Sequence, residues 1–319
     1  MRDPCRVLPL RFACYLDDYP DHLVPQRYFN QYKVDEETLL TVNSGIFLTR
    51  GDHLPEGAID PGLLDHFDSK DEIAWVRSPV TELLEPFWLG ATFLPVLSEL
   101  LEGKMQPREL PWSQKTVLKL AGILTQPTRS TTRREQTVTE LGNIFQARGY
   151  CPVSTLMNPL HLAALRRHYR KLIRLDALRL GDAQTSRRYV AHNENAARFF
   201  HHHLTPMMAA IVRQPVKPSY VYTGAYQSGA VLEKHTDREQ CEFSVTLALD
   251  YSPEPTCETP WSLQLHTNDS VVNIFQGLGD GLVYRGREIP HSREALADGH
   301  TSTSIFFHYV PTGFQGSLD

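Results

Sequence analysis

The sequence has no excess of positive charge, and its charges are well mixed along the chain. Its 319 residues include 32 lysines and arginines and 37 aspartates and glutamates, which gives a net charge of −5 at pH 7. Proteins that follow a nucleic-acid backbone carry a basic face or tail. The composition therefore gives no sign of a nucleic-acid partner.

Long apolar runs and cysteine motifs are also missing. The longest uncharged apolar stretch, PFWLGATFLPVLS at 86–98, is shorter than the roughly 20 residues that span a bilayer. Residues 1–23 carry charges in and around a short apolar run, unlike a secretory signal. The five cysteines form no CxxC pair, which argues against a disulfide framework and a structural zinc site. We expect a cytoplasmic protein without a membrane segment.

The predicted secondary structure changes along the chain. Residues 1–75 mix short strand-like runs with Pro, Gly and Asp, and residues 80–126 show a helical pattern. The polar segment 126–137 predicts a linker. We therefore expect an N-terminal accessory region of mixed structure at 1–125 and a second domain at 138–319. The expected role of the first region is to recruit or cover a substrate, or to form a homo-oligomer.

Two helices are predicted after the linker, at 158–181 and 192–212. In the first, Leu162, Leu165 and Tyr169 recur at helical spacing. In the second, His201, His202 and His203 are adjacent and point about 100° apart, so they cannot all bind one metal. Basic residues of the first helix are expected to form a solvated face opposite its core stripe, namely Arg166, Arg167, Arg170, Lys171 and Arg174.

Strand-like runs follow from Pro218 onward. About seven or eight short apolar segments, separated by Gly, Pro, Asn and Asp, occupy roughly 95 residues. Helices followed by closely spaced strands predict an α+β fold with a double-stranded β-helix core, that is, a cupin-like jelly roll braced by helices. Trp261 and Phe275 are expected to fill that core.

A His-x-Asp pattern at the head of one strand suggests a metal site. His235 and Asp237 are two residues apart, so on an extended strand their side chains point to the same face. The pattern is weak by itself, because 66–68 reads His-Phe-Asp and 192–194 reads His-Asn-Glu. Only 235–237 lies at a strand junction in the β-rich half.

A third ligand must come from another strand. The candidates are His266, His291, His300 and His308, and the segment GDGLVYRGREIPH favours His291, because a turn and an apolar strand lead up to it. Two histidines and one carboxylate form the facial triad of non-haem Fe(II) oxygenases.

The segment 219–310 resembles the Fe(II)/2-oxoglutarate-dependent dioxygenase superfamily, and in particular its prolyl-4-hydroxylase-like branch. The resemblance covers about 90 of the 319 residues. Two groups of residues carry it. The first is Tyr226, Gly229, Leu232, His235 and Asp237, and the second is Gly279, Asp280, Leu282, Val283, Tyr284 and His291.

The resemblance implies an enzyme that uses Fe(II), 2-oxoglutarate and O2. His235, Asp237 and His291 would bind the iron and form the catalytic centre. The implied reaction hydroxylates an unactivated C–H bond of a small molecule or a peptidyl residue and releases succinate and CO2. Desaturation, ring formation and demethylation use the same residues. The alternative is a cupin-like metal-dependent isomerase or ligand-binding module without oxygenase chemistry.

The sequence departs from the family at one position. The family places a Lys or Arg about ten residues after the distal histidine, and here that region reads GHTSTSIFF. A carboxylate enclosed without a cation would be costly, so another basic residue should bind 2-oxoglutarate. Arg293 is the first choice, since it lies two residues after His291. Arg238, Arg285 and Arg287 are alternatives, and Tyr222, Tyr226 and Ser304 complete the predicted cosubstrate-binding set.

Overall fold

The computed structural model describes residues 15–18, 21–31, 39–58, 68–126, 137–268 and 270–319. The chain forms two compact units. The first consists of residues 1–135 with 158–167, and the second consists of residues 136–157 with 168–319. The domain boundaries predicted from the sequence stay a prediction, because most of the expected linker, 127–136, lies outside the described residues.

The first unit contains small antiparallel sheets and short helices. A three-stranded sheet has the order β2-β3-β4, and β1 pairs with β5. Short 3-10 turns occur at Leu16–Asp18, Asp21–Leu23 and Pro107–Glu109. The other elements are α1 (Gln26–Gln31), β1 (Thr41–Val42), β2 (Phe47–Arg50), β3 (Glu72–Arg77), β4 (Leu84–Trp88), α2 (Phe93–Leu101), α3 (Trp112–Leu120) and β5 (Leu124–Thr125).

The helical pattern expected over 80–126 is wrong for β4. All five residues of this strand are buried, and it pairs on one side with β3. Pro86 cannot donate a ladder hydrogen bond, and an edge strand tolerates it. The aromatic residues Phe87 and Trp88 favour the extended conformation.

The second unit begins with helices and short strands. They are α4 (Val138–Arg148), β6 (Tyr150–Val153), α5 (Pro159–Arg174, whose first part belongs to the first unit), β7 (Arg179–Leu180), β8 (Arg188–His192), α6 (Asn195–His203) and α7 (Thr205–Val212). Within the described ranges, no helix is both long and apolar enough to cross a membrane.

Eight strands follow and form most of two antiparallel sheets. They are β9 (Val216–Tyr226), β10 (Leu232–His235), β11 (Phe243–Ser252), β12 (Leu263–His266), β13 (Val271–Ile274), β14 (Gly281–Tyr284), β15 (His291–Arg293) and β16 (Thr301–Pro311). One sheet has the order β6-β14-β11-β16-β9-β8-β7, and the other has the order β10-β15-β12-β13. From β9 to β16 the chain passes between the sheets at every connection except the β12–β13 hairpin.

The two sheets of this unit pack against each other. An apolar cluster joins Leu263, Leu265 and Ile274 of the four-stranded sheet to Leu282 and Tyr284 of the seven-stranded sheet. Trp261 is buried as expected, whereas the prediction for Phe275 is wrong, because 47% of this residue is exposed just beyond the edge strand β13.

The helices differ from the sequence prediction in their bounds and at one basic residue. The first helix ends at Arg174 instead of reaching 181, and the second is divided into α6 and α7 and begins at Asn195 instead of 192. Leu162, Leu165 and Tyr169 are buried as expected. Arg166, however, is also fully buried and donates a hydrogen bond to the carbonyl oxygen of Leu23. The solvent-exposed face of this helix is therefore smaller than predicted, because Arg166 is buried and donates to a buried carbonyl.

The three adjacent histidines separate as expected. His201 is buried and donates from Nε2 to the carbonyl oxygen of His308, while the buried His203 stacks on Phe199. Burial lowers the pKa of His203 to about 4, so the folded protein holds it neutral.

We predict that His203 makes the protein sensitive to mild acid. Below its unfolded pKa the unfolded chain binds a proton that the folded chain does not, so stability falls as the pH drops from about 6.5 toward 4. This histidine should account for a loss of about 2 kcal/mol between pH 7 and pH 5. His203→Gln should reduce the difference between unfolding free energies measured at the two pH values. The exposed His53, changed to Gln, should not; an equal effect of both variants would contradict the prediction.

Candidate metal centre

A β-bulge brings the two histidines of the centre together. Strands β10 and β15 pair with His235 opposite His291 and Leu232 opposite Arg293, and the register shifts by one residue between these pairs. Without the extra residue, Leu232 and His235 would point to opposite faces. With it, His235 faces His291, and the centroids of their rings lie 4.4 Å apart.

Asp237 approaches from the loop beyond β10. The expectation that His235 and Asp237 share one strand face is therefore wrong, because β10 ends at His235. The backbone N–H of Asp237 donates to the carbonyl oxygen of Gly286. Oδ1 of Asp237 lies 3.9 Å from Nε2 of His235 and 3.6 Å from Nε2 of His291. The structure thus brings the three predicted ligands together.

Backbone carbonyls orient both imidazole rings. Nδ1 of His235 lies 2.8 Å from the carbonyl oxygen of Glu233, and Nδ1 of His291 lies 3.0 Å from that of Ile289. A carbonyl only accepts, so each Nδ1 carries the proton and each Nε2 is an unprotonated donor atom for a metal. Fixing of the tautomer by a second hydrogen bond is typical of histidine ligands.

The three side chains fit a divalent transition metal. Their donor atoms lie within 4.8 Å of one another, and burial lowers the pKa of His291, which keeps its imidazole neutral. Two atoms bound to one metal at about 2.1 Å and at right angles are about 3.0 Å apart, so closure requires shifts below about 1 Å. Two imidazoles and one carboxylate suit Fe(II).

The other histidines considered as third ligand have different partners. His266 points to the opposite face of its sheet from His291, and its ring contacts Oγ of Ser292. His300 contacts the hydroxyl of Tyr251, and His308 contacts Oγ of Ser244. His308 also forms a triplet with Asp237 and Cys241, but this triplet shares Asp237, and burial raises the pKa of the Cys241 thiol to about 12. We interpret this triplet as part of the hydrogen-bond network beside the candidate metal centre, and not as a second metal site.

The two competing His-x-acid patterns lie elsewhere in the chain. In the first, Asp68 caps a turn by accepting from the backbone N–H of Lys70, and His66 lies outside the described residues. In the second, His192 ends β8 and Glu194 caps α6, accepting from Ala196 and Ala197. The second pattern was expected inside a helix and instead forms the turn that starts it.

Arg293 is buried without a carboxylate partner among the described residues. It is 5% exposed, and it follows His291 by two residues on β15, so both side chains point to the same face. One Nη donates to the carbonyl oxygen of Trp261, the guanidinium lies 4.5 Å from the centroid of that indole, and Nε has no hydrogen-bond partner. Burial lowers the pKa of Arg293. A buried cation with an unused donor is a ready site for an anion.

The remaining arginines have their own partners. Arg287 is exposed and pairs with Glu242, so we withdraw it from the predicted cosubstrate-binding set. Arg285 packs over the rings of Phe145 and Phe243, which excludes it in the same way. Arg238 is exposed and donates to the hydroxyl of Tyr220.

The predicted helper residues lie on β9 and β16. Tyr226 is fully buried, stacks edge-on against Trp261, and its hydroxyl accepts from Arg188. The hydroxyl of Tyr222 donates to Asp182 at 2.6 Å, and Ser304 is buried on β16. Both tyrosines contact Arg188, and Tyr226 in addition packs on Trp261, which also contacts Arg293.

Sequence reasoning missed residues around the centre that carry no motif. The hydroxyl of Ser244 donates to Asp237, and Gly286 packs against both of these side chains. The buried Arg188, bound to Asp182, Gln184 and Tyr226, was missed as well. One signal was present, because the run FSVTLAL places Ser244 and Thr246 at alternate positions of an otherwise apolar strand, which marks a polar interior face.

The chain is similar to several solved structures. No family model and no curated protein matches it. Among solved structures, a prolyl-4-hydroxylase from Pseudomonas putida is 15% identical with a TM-score of 0.46, over 55% of this chain and 98% of that chain. The non-haem α-ketoglutarate-dependent epimerase SnoN from nogalamycin biosynthesis is 14% identical with a TM-score of 0.46, over 56% and 87%.

A third similar structure is that of HygX from Streptomyces hygroscopicus with nickel, 2-oxoglutarate and hygromycin B bound. It is 15% identical with a TM-score of 0.42, over 57% of this chain and 88% of that chain. Each of these three structures is similar to this chain at low identity and over little more than half of its length.

We predict that metal binding depends on the three side chains of the centre. Because each supplies one donor atom, His235→Ala, Asp237→Ala and His291→Ala should each weaken binding of Co(II) by more than about 100-fold. Isothermal titration under anaerobic conditions measures the change. His266→Ala and Asp68→Ala are controls that should bind as the unchanged protein does. Tight binding by His291→Ala would move the third ligand to another histidine.

Proposed function

We propose that this protein is a non-haem Fe(II)/2-oxoglutarate-dependent oxygenase whose metal ligands are His235, Asp237 and His291. The observation that carries the proposal is the convergence of two tautomer-fixed Nε2 atoms and one carboxylate oxygen. The buried Arg293 on the same strand as His291 supports the same conclusion, because a metal alone does not require it.

The spacing of His291 and Arg293 suits a chelating dicarboxylate. Two residues along a strand correspond to about 7 Å, and the arginine side chain can adjust that span. A ligand that binds the metal through a 2-oxo acid group and ends in a second carboxylate would bring this carboxylate to the guanidinium. The unused Nε and the planar fork of donors favour a carboxylate over a neutral group.

Arg293 is a better anchor than Arg188, which is buried on β8 of the seven-stranded sheet. The guanidinium of Arg188 is satisfied by the carboxylate of Asp182, the side-chain oxygen of Gln184 and the hydroxyl of Tyr226. Arg293 has a single neutral acceptor, the carbonyl oxygen of Trp261. Binding an anion would therefore satisfy Arg293 without breaking an existing ion pair.

The chain's own residues would bind and orient the reactants. Iron with 2-oxoglutarate and O2 supplies oxidation of a C–H bond, with release of succinate and CO2. His235, Asp237 and His291 would hold the metal on one side, and Arg293 and Tyr226 would hold the far carboxylate. The proposed outcome is hydroxylation of a small molecule or a peptidyl residue.

The fold and the remaining regions belong to the same proposal. The alternation of β9 to β16 between two sheets is what a double-stranded β-helix requires, and we propose that topology for the second unit. We retain the domain division at 126–137, a cytoplasmic location, and a role of residues 1–125 in covering the substrate or in self-association. Residues 158–167 belong to the first unit, so truncation at 138 would separate them from the rest of that unit.

The proposal is tested by oxidation of 2-oxoglutarate. The purified protein with Fe(II), ascorbate, O2 and 2-oxoglutarate should form succinate, slowly without substrate and faster with a substrate found by mass-spectrometric screening. Omission of iron or Asp237→Ala should abolish it. Metal binding without any succinate, across such a screen, would favour the cupin-like isomerase or binding module.

Arg293 gives a sharper prediction. Arg293→Ala should weaken 2-oxoglutarate binding by about 30- to 5000-fold, since loss of a buried charged contact costs on the order of 2 to 5 kcal/mol. Arg293→Lys should recover part of this loss, because one ammonium cannot reproduce the fork. The charge-transfer absorption of the anaerobic Fe(II)–2-oxoglutarate complex measures affinity without turnover.

Matched controls are Arg285→Ala and Arg287→Ala, which remove the same charge from residues with other partners, and Arg238→Ala. All should retain the affinity of the unchanged protein. Metal affinity in Arg293→Ala should also be unchanged, which shows that the variant is folded. If Arg238→Ala loses 2-oxoglutarate affinity while Arg293→Ala does not, the anchor has been assigned to the wrong residue.

A further inference from the structure

A short series of hydrogen-bonded side chains contacts Asp237 at Oδ2, the carboxylate oxygen that faces away from the two histidines. Oγ of Ser244 donates to Oδ2 of Asp237 at 2.8 Å, and the same Oγ lies 2.9 Å from Nδ1 of His308. Ser244 and His308 are directly opposite each other on β11 and β16. The other carboxylate oxygen, Oδ1, is the one that faces the two histidine ligands.

Counting protons fixes the direction of these hydrogen bonds. A carboxylate that binds a metal has no proton, so the single proton of Ser244 lies between Oγ and Oδ2. Nδ1 of His308 must then carry a proton and donate to Oγ. Burial lowers the pKa of His308 to about 4, so its ring is neutral at neutral pH and has one N–H to donate.

His308 is itself immobilised on several sides. Its carbonyl oxygen accepts from Nε2 of His201 and from Oγ of Ser219, and its ring packs against that of Tyr220 with centroids 4.7 Å apart. A rigid donor behind Ser244 restricts the hydroxyl to one orientation. The position of Oδ2 is therefore set by the sheet.

Gly286 closes the remaining side of the carboxylate. A Cβ at this position would overlap Oδ2 of Asp237 and would lie 2.7 Å from Oγ of Ser244. The backbone carbonyl of Gly286 also accepts from the N–H of Asp237. The absence of a side chain here leaves the space that Asp237 and Ser244 occupy.

We propose that Ser244 and His308 are positioning residues that make Asp237 a metal ligand through Oδ1 alone, and that Gly286 provides the space for this arrangement. The inference rests on the proposed metal centre and adds the residues that set its coordination number. Occupying Oδ2 with a hydrogen bond prevents the carboxylate from chelating the ion with both oxygens. A coordination position is thereby kept for the reactants.

The test measures metal binding in the absence of 2-oxoglutarate. Ser244→Ala should weaken Co(II) binding by about 10- to 100-fold, the usual effect of losing a partner of a metal ligand. The ligand-field absorption of the Co(II) protein should also change, because a carboxylate freed at Oδ2 can add a second oxygen to the metal. Gly286→Ala should change affinity and spectrum in the same direction by displacing Asp237.

A positioning role of Ser244 and His308 differs from a merely structural contact in that the effects of their variants on Co(II) affinity should be coupled. His308→Leu removes the donor to Ser244 and should resemble Ser244→Ala, whereas His308→Asn keeps an N–H near Nδ1 and should restore most of the affinity. The double variant Ser244→Ala/His308→Leu should be no worse than the more affected single variant, since both act through one hydrogen bond to Asp237.

Ser292→Ala is the matched control. Ser292 is a buried serine next to His291, but its hydroxyl bonds Gln264 and His266 on the other face of the strand. It should retain the affinity and the spectrum of the unchanged protein. The inference fails if Ser244→Ala binds Co(II) with unchanged affinity and spectrum, if Ser292→Ala weakens binding equally, or if the effects of Ser244 and His308 add. If metal binding does not depend on His235, Asp237 and His291, the proposed function fails first.

Discussion

The bulged pairing of β10 with β15 is the constraint on which the site depends. Because side chains alternate along a strand, one extra residue between Leu232 and His235 reverses the face on which His235 lies. The bulge thereby places His235 beside His291 without moving Leu232 out of the core. The strand ends immediately afterwards, which frees the backbone at Asp237 to turn toward both rings. A regular ladder through the same residues would disperse the three donor atoms.

Strand β15 carries both ends of the proposed reactant site. It lies between β10 and β12, so hydrogen bonds hold it on both sides, and all three of its residues are buried. His291 and Arg293 point inward, while Ser292 points to the opposite face. A shift of this strand would move the side chains of His291 and Arg293 together. The distance between them is thus set by backbone geometry more than by side-chain flexibility.

Much of the second unit followed from patterns in the sequence. Alternating apolar strands and Gly-Asp turns located the β-rich half, and the His-x-Asp pattern with a distal histidine identified the three residues that the structure brings together. The short strand β15 was read only as the end of its predecessor, because three residues do not establish a period. The bulge was also beyond prediction, since an extra residue leaves the composition of a strand unchanged.

The errors had physical causes of their own. The sequence pattern predicts an exposed Arg166 because charged side chains normally lie at the surface, but its guanidinium donates to a buried carbonyl of another segment. The sequence predicts Phe275 in the core, yet this residue lies just beyond an edge strand, where burial depends on neighbours that periodicity does not reveal. The N-terminal half has no period long enough to distinguish β4 from a helix. Tertiary contacts, more than local preference, decided each of these positions.

Asp237 combines the two kinds of constraint found in this site. Its Oδ1 belongs to the metal side with the two histidines, and its Oδ2 belongs to the hydrogen-bonded interior with Ser244 and His308. The histidines obtain their orientation from local carbonyls two residues earlier, so their geometry is built into short segments of chain. The carboxylate has no such local support and obtains its orientation from β11 and β16, which belong to the other sheet. The relative position of the two sheets therefore sets where this carboxylate lies with respect to the two histidines.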